Sequence, residues 1–415
     1  MRTAMVAEDA SPLAAESGEA GGKSIYVAEL SAAMAARGHD VTVYTRRSDP
    51  DSPRCIVTSR GYTVVQVDAG PAKPLPETEV SHHLGKFSHS LAEQWVEEPP
   101  DVVHAHYWTS GVATELATRG TGIPTVQTFH ELGAAKDRQL GRRHADATAR
   151  TKLEGLVARH ASWIVATHTD ELQELIRLGC SRSHASVVPC GVDVEKFSTT
   201  GPSVERGNRP RIVAVGTSLA HKGFDTIIIA LRAIPQAELV IVGGADVESL
   251  ADDDEVRRLS VLASELGVAE RVVFTGAIPH DAMPEMLRSA DVVLSTPWSE
   301  GFGIVPLEAM ACGIPVVASA VGGVRDTIVH DVTGSLVPPR NPRAIAAATS
   351  TMLNDAFLRR SQGLAGRDRA CARYAWNEIA DEVLRIYEGL LDARPTLDAT
   401  PPVKGYPTIE KSAEF

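Results

Sequence analysis

An α/β fold built from two doubly wound parallel sheets is what the sequence predicts, and three observations predict it. Apolar runs of strand length alternate with stretches of helical periodicity over most of the chain. The alternation restarts after a polar segment bearing Pro and Gly near residues 198–209. The 415 residues are enough for two domains of ordinary size.

In the first half, residues 3–7, 41–44, 62–67, 101–106, 124–129 and 163–167 read as strands. Helical stretches fall between them, among them SIYVAELSAAMAARG, which stops at Gly38. Such alternation predicts right-handed βαβ units and a parallel sheet. In the second half, RIVAVG, AELVIVG, RVVFTG, DVVLS and PVVAS repeat the pattern. The expected division is a first Rossmann-like domain over 1–197, a linker over 198–209 and a second Rossmann-like domain over 210–375. A helix over 376–393 and a flexible, Pro- and Thr-rich tail over 394–415 complete it. Two such domains create a cleft where the C-terminal ends of their strands face each other.

Bulk properties narrow the function. Hydrophobic residues make up 43% and charged residues 23%, as in ordinary globular protein. A net charge of −12 argues against nucleic acid or an anionic membrane as main partner. The five cysteines are scattered in no metal-ligand spacing. They are expected to be buried, inert thiols in a reducing compartment, which points to the cytoplasm. No apolar run reaches the roughly 18 residues of a transmembrane span, and the N-terminus reads as a first strand instead of a signal segment.

The most informative stretch is DVVLSTPWSEGFGIVPLEAMACGIPVVAS, a buried strand, a glycine-punctuated loop, a helix and a second strand. Glu300 precedes the loop and Glu308 sits within the helix. Gly301 and Gly303 allow close approach of a ligand to the backbone. The first helical amides lack partners in the helix and suit an anion. Phosphates on the amides and sugar hydroxyls on the carboxylates together describe a nucleotide-sugar. Lys222, at the start of a helix in VGTSLAHKGFDT, brings an ammonium to the same rim; a solvated lysine is the plain alternative. Gly21-Gly22-Lys23-Ser24 opens a helix and suits an anion or hydroxyl, or is a simple turn. His104 and His106 end one strand and His130 follows another, so all can reach the cleft; structural histidines are the alternative. Asp252-Asp253-Asp254 reads as a helix cap with solvated charge. There is no G-x-S-x-G elbow, H-E-x-x-H or CxxC, and Gly301-Phe302-Gly303 does not continue as a dinucleotide fingerprint.

In this order the segments GGKSIYVAELSAAMAARGHDVTVYT, DVVHAHYWTSG, TFHELG, SVVPCGVDVEKF, AVGTSLAHKGFDT and SEGFGIVPLEAMACGIPVVAS resemble the family 4 retaining glycosyltransferases of the GT-B fold. The last segment is that family's E-x7-E element. TFHELGAAK looks like the segment of the subgroups containing D-inositol-3-phosphate glycosyltransferase and sucrose-phosphate synthase. The resemblance implies a donor in the cleft, bound mostly to the second domain, with the C-terminal helix crossing back to the first. It implies that Glu308 bonds ribose hydroxyls. Glu300 and the amides of Phe302, Gly303 and Ile304 would hold the donor sugar and phosphates. Lys222 would neutralise the diphosphate. His130 would contact the sugar from the opposite domain, and Gly22 would approach the phosphate or acceptor. Ile278 would lie near the base. His130 and Glu300 are the residues expected to carry the chemistry. No cofactor and no metal ion are implied. The partners are a nucleotide-diphosphate sugar and a small-molecule or lipid-linked acceptor.

One position departs from the family. Thr217 stands where an arginine usually follows the glycine ending the strand before the lysine. Loss of a charge-assisted bond to phosphate is worth roughly 1.5–3 kcal/mol. A catalytically weak nucleotide-sugar binder therefore stands beside the transferase, and a sugar-nucleotide epimerase or a phosphorylase shares the architecture. On the acceptor side, His106 and Tyr107 end a strand, and Lys136, Arg138, Arg142 and Arg143 cluster after His130. The cluster suits an anionic acceptor such as a sugar phosphate, or is a solvated basic loop.

Overall fold

The structure is a computed structural model and describes residues 1–14, 21–133, 147–216 and 222–393. Thr217, Lys136, Arg138, Arg142, Arg143 and the segment 394–415 therefore lie outside the described residues.

The first sheet contains β1 (Arg2–Val6), β2 (Asp40–Arg46), β3 (Cys55–Val57), β4 (Thr63–Val67), β5 (Val102–His106), β6 (Thr125–Thr128), β7 (Trp163–Ala166) and β8 (Ala185–Val187). Their order is β3-β4-β2-β1-β5-β6-β7-β8, and all pairs are parallel except β3 with β4. The second sheet contains β9 (Arg211–Val215), β10 (Glu238–Val242), β11 (Val272–Gly276), β12 (Val292–Ser295), β13 (Val316–Ser319) and β14 (Gly334–Val337). Its order is β11-β10-β9-β12-β13-β14, parallel throughout. Strands such as β5, with all five residues buried, show no alternation of buried and exposed positions because helices cover both faces.

Each sheet has one place where successive strands are laid down on opposite sides. In the first it lies between β1 and β5, in the second between β9 and β12. A crevice opens outside the carboxyl ends of the strands at such a point. The expected two-sheet α/β architecture is thus present. β3, β8 and β14 were not expected from the sequence; each is a strand of three or four residues at the edge of its sheet.

Four helices follow the central strands: α1 (Gly22–Ala35), α2 (Trp108–Ala117), α3 (Phe224–Leu231) and α4 (Ile304–Ala311), and α1, α3 and α4 contribute residues to the cleft. α1 ends at Ala35, and Gly38 (φ +83°) turns the chain back towards β2. Asp253 caps its helix, accepting from the amides of Glu255 and Val256. Near the C-terminus, α5 (Ala356–Tyr374) breaks at extended Ala375, and α6 (Trp376–Asp392) runs back to the first sheet. α6 buries Trp376, Ile379, Ala380, Val383, Leu384 and Tyr387, a stripe at helical spacing. It packs on α1, where Arg37 bonds Asp381 (2.5 Å) and the backbone of Asn377 (2.7 Å). The Tyr387 hydroxyl lies 2.5 Å from His104 Nδ1 in the first domain.

All five cysteines are free, but the expectation of five buried thiols holds for only three. Cys180, Cys190 and Cys312 are buried, Cys371 is half-buried, and Cys55 is exposed because β3 is an edge strand. Among the described residues no helix is long and apolar enough to cross a membrane.

Candidate active site

The cleft between the sheets has a volume of about 930 Å³. Its second-domain wall is set by the crevice between β9 and β12. Lys222 follows β9 and Glu300 follows β12, so adjacent strands deliver them side by side, with Nζ 2.8 Å from Glu300 Oε2. Gly303, at φ +83°, turns the loop into α4, and no side chain caps that helix. Pro306 within its first turn has no amide to satisfy, and the bare amides around Gly303 and Ile304 are left for an anion. The loop is held from behind by Gly322 (φ +49°), where a Cβ would fall 1.9 Å from the Glu300 carbonyl oxygen. Glu308, one turn further along α4, is 4% exposed and accepts from His280 Nε2 at 2.7 Å.

The first-domain wall is made differently. Gly22 opens α1, and a Cβ there would lie 3.4 Å from Ile304 Cδ1, so the two helix tips nearly meet across the cleft. His130 follows β6 with φ +64°, a conformation a non-glycine residue adopts only when its surroundings hold it. A Cβ on Gly301 would lie 3.2 Å from the His130 carbonyl oxygen. His130 Nε2 is 3.2 Å from His106 Nδ1, and its ring packs edge-on to Tyr26. Beneath it, His106 and His104 are fully buried, and His104 bonds Thr128 Oγ1 (2.8 Å) and Tyr387. Burial, with His106 and the Lys23 ammonium nearby, holds the His130 imidazole well below its usual range. Burial pushes His106 down to about 3 and His104 well below the ordinary value, so the stack is neutral at pH 7.

Of the residues singled out in the sequence, Gly22, His130, Lys222, Ile278, Glu300, Phe302, Gly303, Ile304 and Glu308 line this one cleft. His106 and Tyr107 do not. His106 lies under His130, and the Tyr107 ring is covered by Lys23, whose Nζ sits 3.7 Å from its centroid. Sequence reasoning missed His168, which caps the helix after β7, and His280, which follows β11; both line the cleft. A position just past a strand's carboxyl end was the available signal for each.

A fold of facing Rossmann-like sheets, with a glycine loop, a lysine and two glutamates on one wall, is that of a GT-B glycosyltransferase. Comparison with known proteins agrees. Residues 21–191 match the glycosyl transferase 4-like domain and residues 196–369 match the glycosyl transferases group 1 domain. The chain is 34% identical to the D-inositol 3-phosphate glycosyltransferase of Xylanimonas cellulosilytica, over 95% of this chain and 98% of that one. It is 34% identical to the protein of the same name from Acidothermus cellulolyticus, over 95% and 92%. Among solved structures, sucrose-phosphate synthase from Thermosynechococcus elongatus superposes with a TM-score of 0.82 at 30% identity, covering 94% of this chain and 99% of that one. Anabaena HepE in complex with UDP-glucose shares the fold, with a TM-score of 0.71 at 20% identity over 94% and 100%. The chain belongs to the family 4 glycosyltransferases of the GT-B fold.

Proposed function

We propose that this glycosyltransferase moves a hexose from a nucleotide-diphosphate sugar to a hydroxyl of a small acceptor, with retention of anomeric configuration and without a metal ion. One observation carries the reading: Lys222, Glu300, Glu308 and the bare tip of α4 converge on a single cleft, opposite His130.

In this reading Lys222 and the α4 amides neutralise the diphosphate, Glu308 accepts from the ribose hydroxyls, and Ile278 lies by the base. Glu300 and His130 hold the hexose, while Gly22 leaves room for the phosphate or acceptor, and Thr217 is assigned to donor binding. The bond from the anomeric carbon to the diphosphate oxygen breaks as the acceptor oxygen bonds the same face. The acceptor proton passes to the departing phosphate oxygen. Positioning and stabilisation of charge on the diphosphate then supply the rate. The neutral His130 imidazole can donate one hydrogen bond to a sugar hydroxyl without adding a cation beside the anomeric carbon.

For the acceptor we propose a phosphorylated small molecule, on the names of the relatives that align over nearly the whole chain and on Lys23, a cation on the first-domain wall. Lys136, Arg142 and Arg143 are proposed as further cations for the acceptor's phosphate. The free cysteines support a reducing, cytoplasmic setting. The test pairs UDP-, GDP- and ADP-hexoses with D-inositol 3-phosphate and hexose phosphates in EDTA, and reads the product by NMR. A new glycoside with the donor's anomeric configuration is expected. Inversion, metal dependence, or epimerisation without transfer would each overturn the corresponding part.

A further inference from the structure

Behind the tip of α4 lies a second hollow of about 140 Å³, and His280, Ile304 and Glu308 line both it and the main cleft. Three side chains form a line through that shared wall. Lys196 Nζ is 3.1 Å from His280 Nδ1, and His280 Nε2 is 2.7 Å from Glu308 Oε1. An ammonium can only donate, so Nδ1 accepts, and the ring proton sits on Nε2 and is donated to the carboxylate. Lys196 is itself anchored by Asp281 Oδ1 at 2.6 Å.

We propose that His280, held in its Nε2–H tautomer by Lys196, is a positioning residue that aims Glu308 at the ribose hydroxyls of the donor nucleotide. One carboxylate oxygen is committed to a fixed donor, which sets the side chain's torsion and leaves the other oxygen to accept from the sugar. Outer partners of this kind orient the group that meets the ligand. Lys196 lies within the segment joining the two sheets, between β8 and β9, so the arrangement also ties the ribose-binding acid to that connection. The inference rests on the reading of Glu308 as a ribose ligand, and the experiment separates the two.

The measurement is the dissociation constant of whichever of UDP, GDP and ADP binds the wild-type chain most tightly, and of its 2′,3′-dideoxy form. Their ratio is the contribution of the ribose hydroxyls, expected to be about tenfold or more for hydrogen bonds to a carboxylate. Glu308→Ala should bring the ratio to about one. His280→Ala should shrink it to about threefold while leaving the dideoxy nucleotide's affinity within about twofold of wild type. Lys196→Met should shrink it less. His280→Gln, whose amide can accept from Lys196 and donate to Glu308, should restore most of it. A purely structural role would weaken both nucleotides alike and would not be rescued by Gln. If Glu308→Ala removes the ratio and His280→Ala leaves it intact, the positioning role is wrong and the ribose reading stands. If Glu308→Ala leaves the ratio intact, or none of the three nucleotides binds, the ribose reading fails and takes this inference with it.

Discussion

The two walls of the cleft solve the problem of meeting a charged sugar in opposite ways. The second-domain wall uses backbone and charge: a helix tip, the Lys222–Glu300 pair and Glu308, all at the surface of one crevice. The first-domain wall also carries charge, Lys23 among it, but sets His130 on buried, uncharged rings: His130 on His106, His106 beside His104, and His104 on Tyr387. The difference teaches where each contribution to function comes from. On one wall, the proposed function rests on groups that would touch the ligand. On the other, it rests on His130 and on the packed support beneath it, whose own stability is at stake.

The comparison breaks most sharply at Lys222. Lys222→Met should lower kcat by about a hundred- to a thousandfold, the range seen when a donor to developing anionic charge is removed. Melting temperature should stay near wild type, because the ion pair it forms is partly solvated, at 31% and 20% side-chain exposure. A large fall in stability instead would mean that the charged wall is as structural as the histidine wall.

Stability against pH tests the opposite wall. His106, with a native value near 3, and His104, also depressed, take up protons more readily when unfolded. The unfolded chain therefore binds more protons below about pH 6.5, and stability falls as pH drops through that window, by up to about 1.4 kcal/mol per pH unit for each ring. Glu8, at the end of β1, acts the other way. Burial, then the neighbouring Asp9, raises its carboxyl to about 7, although Arg46 Nε lies 3.5 Å away. The native state then holds the extra proton between about pH 4.5 and 7, and stability falls as pH rises through that range. Glu8→Gln should recover on the order of 2–3 kcal/mol at pH 8 and leave the acid side unchanged. Urea unfolding at pH 5, 6.5 and 8 reads both slopes.

How much of this was legible in the sequence follows the same division. The charged wall was written locally. Glu300, the glycines and Glu308 fall in one strand–loop–helix segment, and Lys222 starts the helix after β9, so spacing alone placed them. The histidine wall was half legible. His104, His106 and His130 could be placed at strand ends, but only tertiary packing puts His106 beneath His130 and brings Tyr387 across some 280 residues to His104. The His280 contact to Glu308 was hidden for the same reason, since it joins the loop after β11 to α4. The edge strand β3 was missed because three residues with alternating exposure carry too little apolar pattern.

Gly22 lies where the walls meet and sharpens the comparison on a smaller scale. A Cβ there reaches ordinary contact distance from Ile304, so Gly22→Ala should fold normally. If the glycine exists to let phosphate or acceptor approach α1, turnover should fall about tenfold, about 1.4 kcal/mol, with an unchanged melting temperature. Unchanged turnover would assign the glycine to the turn alone.

The smallest expected effect on turnover concerns the far end of the histidine stack. Tyr387→Phe deletes one hydroxyl from α6 and leaves His104 Nδ1 without its 2.5 Å partner in a site with no exposed surface. A lost buried hydrogen bond of this kind costs about 1–3 kcal/mol of folding stability. Because α6 still buries its apolar stripe on α1, the helix should stay docked. Turnover should then change only about twofold, since His104 reaches the cleft through His106 and His130 and touches no ligand itself. A loss of turnover far larger than the loss of stability would show that the crossing helix sets the angle of His130, and that the buried wall, like the charged one, acts on the sugar directly.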